Sequence, residues 1–567
     1  MNKKFSGKSF IFYGINYIVG FGFIATISSV IKTGNYSLLI FAITAFIAAG
    51  VMLAFARGSQ WYGQQSGGSY AYVKNSSHRR WLWYINGWNQ FMQAPLFSAT
   101  TPLFFSTLVS FFVADFKYQL ILQICSLLFF IVLTIISALS LNISKKVIFY
   151  SALIKWIVLV FIFAVIIYLT ITGSRATNIF TTKTGTITPY LIISAILSFI
   201  YAFAGVEGLA GLSTEVKTKN FRKILLYLFG IIIFIYLVFY LIFIFVPPLA
   251  NSTQSNYVAA LMEKALGVTG LIIFTLGLLF RQITSTIFSM VYYAKTVVPL
   301  AQDGFIPHSL SKVAKNGQHK NATIFVTLIT VLSMIFLSII PSIFKIQDSF
   351  ATILNAGNLV FFIQYLFAIV SILVISIRNK ELKVRWWEKV IYILVSIMIA
   401  FVALSTLFPP LVGADYDANV IIIVGSYLAL MFMGLIFLGS YQLYLKFRND
   451  FFKYSSTFKF QSQNSKINIK NCEFSIKPLI AQPSNLNNVI NSLLNSYPTE
   501  TILLRRFNHK KFQNDHLDLS MFAQLIQSST NLRNILIIDS LPDNLNFDAI
   551  LNLQSNTNIQ VILITEY

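Results

Sequence analysis

Lys155, Glu207 and Arg281 are the charged side chains that this sequence sets deep inside apolar runs long enough to cross a bilayer. A charge at the centre of a membrane costs about 2.5–3.5 kcal/mol on insertion scales, so it persists where it is paired, neutralised or beside a cavity. Glu207 lies in the stretch Ser198–Lys223, SFIYAFAGVEGLAGLSTEVKTKNFRK, between Gly205 and Gly208. Glycine lets a helix unwind, and unwound backbone at membrane depth is tolerated only beside a cavity or inside protein. A broken helix bearing a charge therefore points to a transport site. The competing reading is a glycine stripe for helix packing, with the glutamic acid held neutral by a hydrogen bond.

The run Phe10–Ile31 carries a similar device. Its centre reads IVGFGFIAT, with Gly20, Phe21 and Gly22 at mid-depth. If the helix opens there, the half-helix that follows presents unpaired N–H groups and a positive dipole end, a seat for a carboxylate. Small residues also mark plain helix packing, so this pattern gains weight from its partner. Interruptions in the first and sixth spans occupy matching positions if spans 1–5 and 6–10 form an inverted repeat. Lys155, in the fifth span, is costly unless it is paired, faces water or gives up its proton. Alternatively it snorkels toward the inner headgroups, because Lys145 and Lys146 set that interface about ten residues earlier, roughly 15 Å at the helical rise. Arg281, in the eighth span, has three readings: a pair with Glu207, repulsion of cationic substrates, or a place near an outer vestibule.

Membrane helices must hold these residues. The chain of 567 residues is 56% hydrophobic and 11% charged, which excludes an ordinary soluble globular protein. Apolar runs of about 20 residues, the length that spans a hydrocarbon core of about 30 Å, recur from Phe10 to about Leu445. The expected fold class is an all-α polytopic membrane protein with about 12 transmembrane helices. The formal charge of +23 would suit nucleic acid, but its distribution does not. With the N-terminus inside, the inward loops before the last helix hold 22 Lys and Arg and the outward loops hold 6. That is the positive-inside bias, which places both termini in the cytoplasm and the chain in the plasma membrane, with no nucleic-acid partner. The basic start MNKKFSGKSF carries no separate signal peptide. Cys125 and Cys472 build neither a disulfide framework nor a zinc site, and the five histidines sit in loops or the tail. No metal, cofactor or intramembrane catalytic set is expected, so the chain does not read as an enzyme.

After Leu445 the character changes. Residues Asn471–Tyr567 hold 6 Lys and Arg against 8 Asp and Glu. Three β-prone runs, Thr501–Phe507, Asn534–Asp539 and Ile559–Thr565, alternate with expected helices at Leu486–Asn495, Leu519–Ser528 and Phe547–Leu553. That order suggests a small α/β domain with parallel strands. The expected domains are a transmembrane domain over 1–445, a polar linker over 446–470 and a cytosolic α/β domain over 471–567. A regulatory or docking role and a passive stabilising one are both open for the last.

Four motifs in order across the membrane region carry a family resemblance. They are Gly20 and Gly22; Gly67-Gly68, Tyr70, Tyr72 and Val73 with Gly87-Trp88; Phe203–Glu207 followed by Glu215-Val216-Lys217; and Lys295 with Asp303-Gly304-Phe305-Ile306-Pro307 and Lys312-Val313. With these the chain resembles the amino acid–polyamine–organocation superfamily of permeases. Phe21 stands where that family carries a small residue, pointing to a smaller or apolar substrate side chain, and Lys295 replaces its usual arginine.

The resemblance implies a 5+5 inverted-repeat core of the leucine-transporter type and secondary active transport of an amino acid by alternating access. The α-carboxylate would meet N–H groups at Gly20–Gly22, and the α-amino group would meet carbonyls around Ile18–Val19 and Phe203–Gly205, Ala204 included. Glu207 would hold the sixth-helix break open or compensate charge, and Tyr201 or Phe203 would form part of a gate. Lys155 would occupy the space that a sodium ion fills in sodium-coupled relatives and exchange a proton, favouring proton coupling or exchange. Thr284, Ser285, Thr286 and Ser289 stand where those relatives place ion ligands, although such hydroxyls commonly bond back to their own helix. Spans 11 and 12 lie outside the repeat and serve packing or a homodimer. The expected partners are an amino acid, protons and the lipid bilayer. The main rival is an amino-acid sensor built on a transporter scaffold and signalling through the C-terminal domain. A channel is disfavoured, since nothing resembles a repeated selectivity filter.

Overall fold

The computed structural model describes residues 5–458 apart from 32, 64, 66, 111, 113–115, 140, 173–186, 214–215, 219, 246–256, 315–317, 345–348 and 380, and three strands in the tail. The chain divides into two compact units, Met1–Arg448 and Asn449–Tyr567.

The first unit opens with a two-residue strand, β1 (Phe5–Ser6), paired parallel with β2 (Val216–Lys217). The helices that follow are α1 (Gly7–Ile18), α2 (Phe21–Ile31), α3 (Ser37–Tyr62), α4 (Ser69–Ser76), α5 (Arg80–Phe91), α6 (Gln93–Ser110), α7 (Phe116–Leu139) and α8 (Leu141–Thr172). Next come α9 (Pro189–Phe199), α10 (Val206–Ala210), α11 (Phe221–Ile244), α12 (Tyr257–Gln302), α13 (Lys320–Met334) and α14 (Ile340–Ile343). The last three are α15 (Ser349–Arg378), α16 (Trp386–Leu407) and α17 (Ala418–Phe458). Among the described residues, ten helices are long and apolar enough to cross a membrane. Two further helical segments, α1 with α2 and α5 with α6, are each interrupted near the middle.

Local chemistry explains the interruptions. Ser6 caps α1, its hydroxyl accepting from the Ser9 N–H at 3.2 Å. That helix stops where Val19 turns extended (φ −72°, ψ 122°) ahead of Gly20. Thr188 caps α9 and Pro189 occupies its first turn. Helix α9 then tightens into a 3-10 turn, Ile200–Phe203, followed by extended Ala204 and by Gly205 at φ 111°. A β-carbon is strained at that angle, so glycine is what lets the chain restart as α10. Helix α12 bends at Gly267, so that Tyr257–Leu266 forms a separate short helix before the long one.

Periodicity sets what faces inward. Helix α8 buries Ala152, Lys155, Leu159, Ile162 and Ile166, spaced three or four apart, and leaves Ile157, Val160 and Tyr168 exposed on the other side. In a bilayer that exposed stripe faces lipid, and Lys155 is on the protein side.

Two polar clusters join loops that are distant in sequence. Asp303 accepts from Lys74 Nζ at 2.7 and 2.9 Å and from the Tyr70 hydroxyl, while its carbonyl accepts from Arg80 Nη2 at 2.8 Å. Two of the quoted motifs thus touch. In the second cluster Glu388, with 0% of its surface exposed, binds Arg57 Nη2 at 2.6 Å and Arg222 Nη2 at 2.9 Å. This triad ties α16 to α3 and α11. Helix α17 is fastened elsewhere, to α5: Trp88 Nε1 donates to the Leu430 carbonyl at 2.9 Å, and the Tyr84 hydroxyl donates to the Gly434 carbonyl.

In the second unit β3 (Thr501–Arg506), β4 (Asn534–Asp539) and β5 (Gln560–Thr565) form a parallel sheet in that order, Thr501 opposite Asn534 and Asn534 opposite Gln560. Parallel neighbours need crossover connections, and the helices expected at 486–495, 519–528 and 547–553 lie outside the described residues. Helix α17 continues to Phe458, into the stretch expected as linker; the rest of 446–470 is outside the described residues.

Removing one member of a buried ion cluster strands the others. Glu388→Ala leaves Arg57 and Arg222 without their shared carboxylate and is expected to cost about 3–5 kcal/mol of stability. Unfolding of the purified protein in detergent measures this, and a change within error of zero removes the triad as a brace.

Candidate functional site

The two interrupted segments meet. A β-carbon added to Gly22 would stand 2.9 Å from the Tyr201 carbonyl oxygen and 3.4 Å from Ala202 Cα, so only glycine lets these backbones come so close. A β-carbon at Gly205 would stand 2.5 Å from the Tyr17 ring. Glycine at these two places allows α1–α2 and the α9–α10 segment to share a wall.

Backbone groups released by the breaks find side-chain partners. The Tyr236 hydroxyl of α11 lies 2.7 Å from the Ala202 carbonyl and 3.1 Å from that of Ile18, one proton serving both breaks. Lys155 Nζ donates to the carbonyls of Asn16 at 2.8 Å and Val19 at 3.0 Å. Of the two readings of this lysine, snorkelling is overturned: the side chain is 4% exposed and turned to the first-helix break. Glu207, 2% exposed, accepts from the Gly205 N–H at 3.0 and 3.2 Å and from the Tyr365 hydroxyl of α15 at 3.0 Å.

Beside the breaks lies a cavity of about 70 Å³. One water needs about 10–15 Å³ by this measure, so the space takes several water-sized groups. Ile18, Gly22, Tyr201, Ala204, Gly205 and Glu207 form one wall. A polar stripe of α12, Arg281, Gln282, Ser285, Thr286 and Ser289, spaced so that every fourth residue recurs, also lines the cavity. Aromatic rings pack across it: Tyr201 stacks on Phe97 of α6 at 5.3 Å and Phe97 on Phe361 of α15 at 4.6 Å. Such a hollow, lined by bare peptide groups and by hydroxyls, an amide and a guanidinium, can hold a small zwitterion or polar molecule.

The remaining sequence-based expectations divide. Gly20 borders a smaller cavity of about 20 Å³ with Lys155 and Arg281. Val19 contributes its carbonyl to Lys155. Phe21 opens α2, and its side chain lies outside the described residues. Of the two alternatives for part of a gate, Tyr201 lines the cavity, whereas Phe203 packs on Phe199, Phe229 and Tyr236. Two residues apart on a helical turn, positions 201 and 203 point to different sides. Thr284 bonds back to the Phe280 carbonyl at 2.7 Å, whereas Ser285, Thr286 and Ser289 line the cavity. Glu215 lies outside the described residues. Sequence reasoning missed Tyr236, Tyr365, Tyr17 and Gln282. Their only signal is a polar atom recurring inside an apolar run.

A family model described as amino acid permease matches residues 5–433. The uncharacterized protein MG225 of Mycoplasma genitalium is 31% identical over 443 residues, covering 73% of this chain and 90% of the relative. The uncharacterized protein MG226 of the same organism is 31% identical over 441 residues, covering 72% and 89%. A solved structure of a mutant manganese transporter from Eremococcus coleocola aligns with TM-score 0.50 at 15% identity, covering 76% of this chain and 96% of that one. That last likeness is one of fold.

The glycine argument is checked by a pair of substitutions. Gly205→Ala adds a β-carbon in the left-handed region against Tyr17 and is expected to destabilise by about 1–3 kcal/mol. Gly208→Ala, in the helix next door, would meet nothing nearer than 3.5 Å and is expected to stay within about 0.5 kcal/mol of the parent. Equal effects of the two on unfolding in detergent would contradict the geometry.

Proposed function

The chain belongs to the amino acid permease family, and we propose that it is a secondary active transporter of amino acids working by alternating access across the plasma membrane. Multi-pass insertion and transport of a small molecule come with the family. The finer reading rests on one observation above all: two interrupted helices in backbone contact at Gly22 and Tyr201, with a cavity at the junction.

In this reading the first N–H groups of α2, around Gly20, Phe21 and Gly22, receive the substrate carboxylate. The α-amino group is directed at the carbonyls of Phe203 and Ala204, since those of Ile18, Val19 and Gly205 already accept from Tyr236, Lys155 and the Leu209 N–H. Glu207 holds the sixth-helix break by accepting from Gly205, and Tyr201 lines the site as a gate. Lys155, joined to the first break, is the coupling residue, exchanging a proton as the break rearranges.

Counting α1–α2 and α5–α6 as crossings gives twelve spans, the first ten as a 5+5 inverted repeat, with both termini cytoplasmic. The domain division is a permease over 1–445, a linker over 446–470 and a cytosolic α/β domain over 471–567. Helices α16 and α17 are left to face lipid or a second copy of the chain. A sensor signalling through the tail draws on the separate unit that begins at Asn449; uptake that survives truncation at Lys459 favours transport.

Reconstitution into liposomes with labelled amino acids, with and without a pH gradient, tests the assignment. Glu207→Gln and Gly22→Leu are expected to abolish uptake while insertion stays intact, and undiminished uptake in both removes the site. In the same assay Lys155→Ala is expected to lose the response of uptake to the imposed gradient. A response equal to that of the parent excludes the proton-exchange role.

A further inference from the structure

Three helix ends meet at one membrane face, and their charges do not balance. Arg57 stands in the last two turns of α3, Arg222 in the first turn of α11 and Glu388 in the first turn of α16. Helices α11 and α16 both pack on α3. The residues of these ends, 57–62, 221–225 and 385–389, include five cations, Arg57, Arg222, Lys223, Arg385 and Lys389, and one carboxylate.

That carboxylate is fully engaged. Both oxygens of Glu388 accept from Arg57, and Oε1 also accepts from Arg222 Nη2 at 2.9 Å. Arg222 is held on one edge only. Its Nη1 reaches the exposed Gln60 amide oxygen at 3.4 Å, a long and weak bond, and its Nε is buried without a partner. An unmet donor on a charged group is costly. Lys223 is exposed in the same turn. Helix α11 starts with neither a side-chain cap nor an acid in its first turn, so Arg222 and Lys223 stand against the positive end of its dipole. An anion seated there would answer all of these groups.

The surroundings indicate what carries the anion. Trp386, 77% exposed, opens α16, and Tyr227, 67% exposed, stands two turns into α11. Exposed apolar stripes continue from them, through Val390 and Ile397 on α16 and through Ile231 and Val238 on α11. Aromatic rings of this kind sit at headgroup level, with acyl chains beyond them. A phosphate that belongs to a lipid brings its chains onto these stripes, which a free phosphate does not. Basic pockets between helix ends suit such headgroups.

We infer that an anionic phospholipid binds at this joint, its phosphate against Arg222 and Lys223 and its chains along the exposed faces of α11 and α16. It would clasp both helices to α3. Multi-pass insertion is all that this requires, whatever the cargo.

The test equilibrates the full-length chain in bicelles of phosphatidylglycerol and phosphatidylcholine in equal amounts, washes it in neutral detergent and counts the retained lipid. The parent is expected to keep about one phosphatidylglycerol per chain, in about fivefold or greater excess over phosphatidylcholine. Arg222→Gln is expected to lower that ratio about fivefold, and Arg222→Lys to keep most of it. Lys223→Gln leaves the triad whole and is expected to lower the ratio in the same direction, which decides the matter should Arg222→Gln fail to fold. Lys320→Gln, removing an exposed cation at the start of α13, is expected to leave it unchanged. Equal retention of the two lipids by the parent overturns the inference. So does an unchanged ratio in folded Arg222→Gln protein, or in Lys223→Gln where the former does not fold. An equal drop in Lys320→Gln marks general surface charge and overturns it as well. Millimolar inorganic phosphate that strips the lipid from the parent assigns the site to the free anion and overturns the lipid.

Discussion

A peptide group released from its helix inside a bilayer has no water to turn to. That constraint organises the membrane unit. Opening the chain at Val19–Gly20 and at Ala204–Gly205 frees carbonyls and N–H groups, and each pair of freed groups calls a side chain from another helix. Lys155 comes from α8, Tyr236 from α11, and Tyr365 from α15 through Glu207. The surrounding helices are positioned by this need as much as by apolar packing. Pulling α11 aside would strip a donor from both breaks at once, because one tyrosine hydroxyl reaches across them.

What could be read in advance follows from contrast. A glutamate between glycines in an apolar run stands out, as does a lysine in ALIKWIVLVF. The direction of that lysine was also present in the chain, in the spacing of Ala152, Leu159, Ile162 and Ile166, but only when the buried face is known. Tyr236 and Tyr365 were hidden by abundance: in a chain that is 16% aromatic, a tyrosine in a phenylalanine-rich helix carries no signal. Between Tyr201 and Phe203 the letters offer no choice, because which side of the turn faces the cavity is set by packing with other helices. The main-chain groups that do the holding leave no letter at all. In the tail, the three β-prone runs overlap β3, β4 and β5, while the segments between them lie outside the described residues.

The polar clusters beyond the cavity show charge used as joinery. Asp303 draws α4 and the start of α5 onto the end of α12 through three donors from separate residues. Glu388 does the same for α3, α11 and α16. Such buried ionic groups add less stability than their count suggests, since desolvation opposes the attraction. They fix which elements may sit together. Helix α16 is bound to one set of neighbours and α17 to another, so the last two helices are fastened to the rest of the unit at separate places.

The broken-helix wall of the cavity presents peptide groups that no side-chain substitution alters, whereas the α12 stripe is made of side chains that can be exchanged while that wall stays in place. The chemistry of the hollow can thus be changed by editing one helical face, without disturbing the junction. Gly22 and Gly205 stand outside that freedom, because a single methyl group at either would push the two half-helices apart.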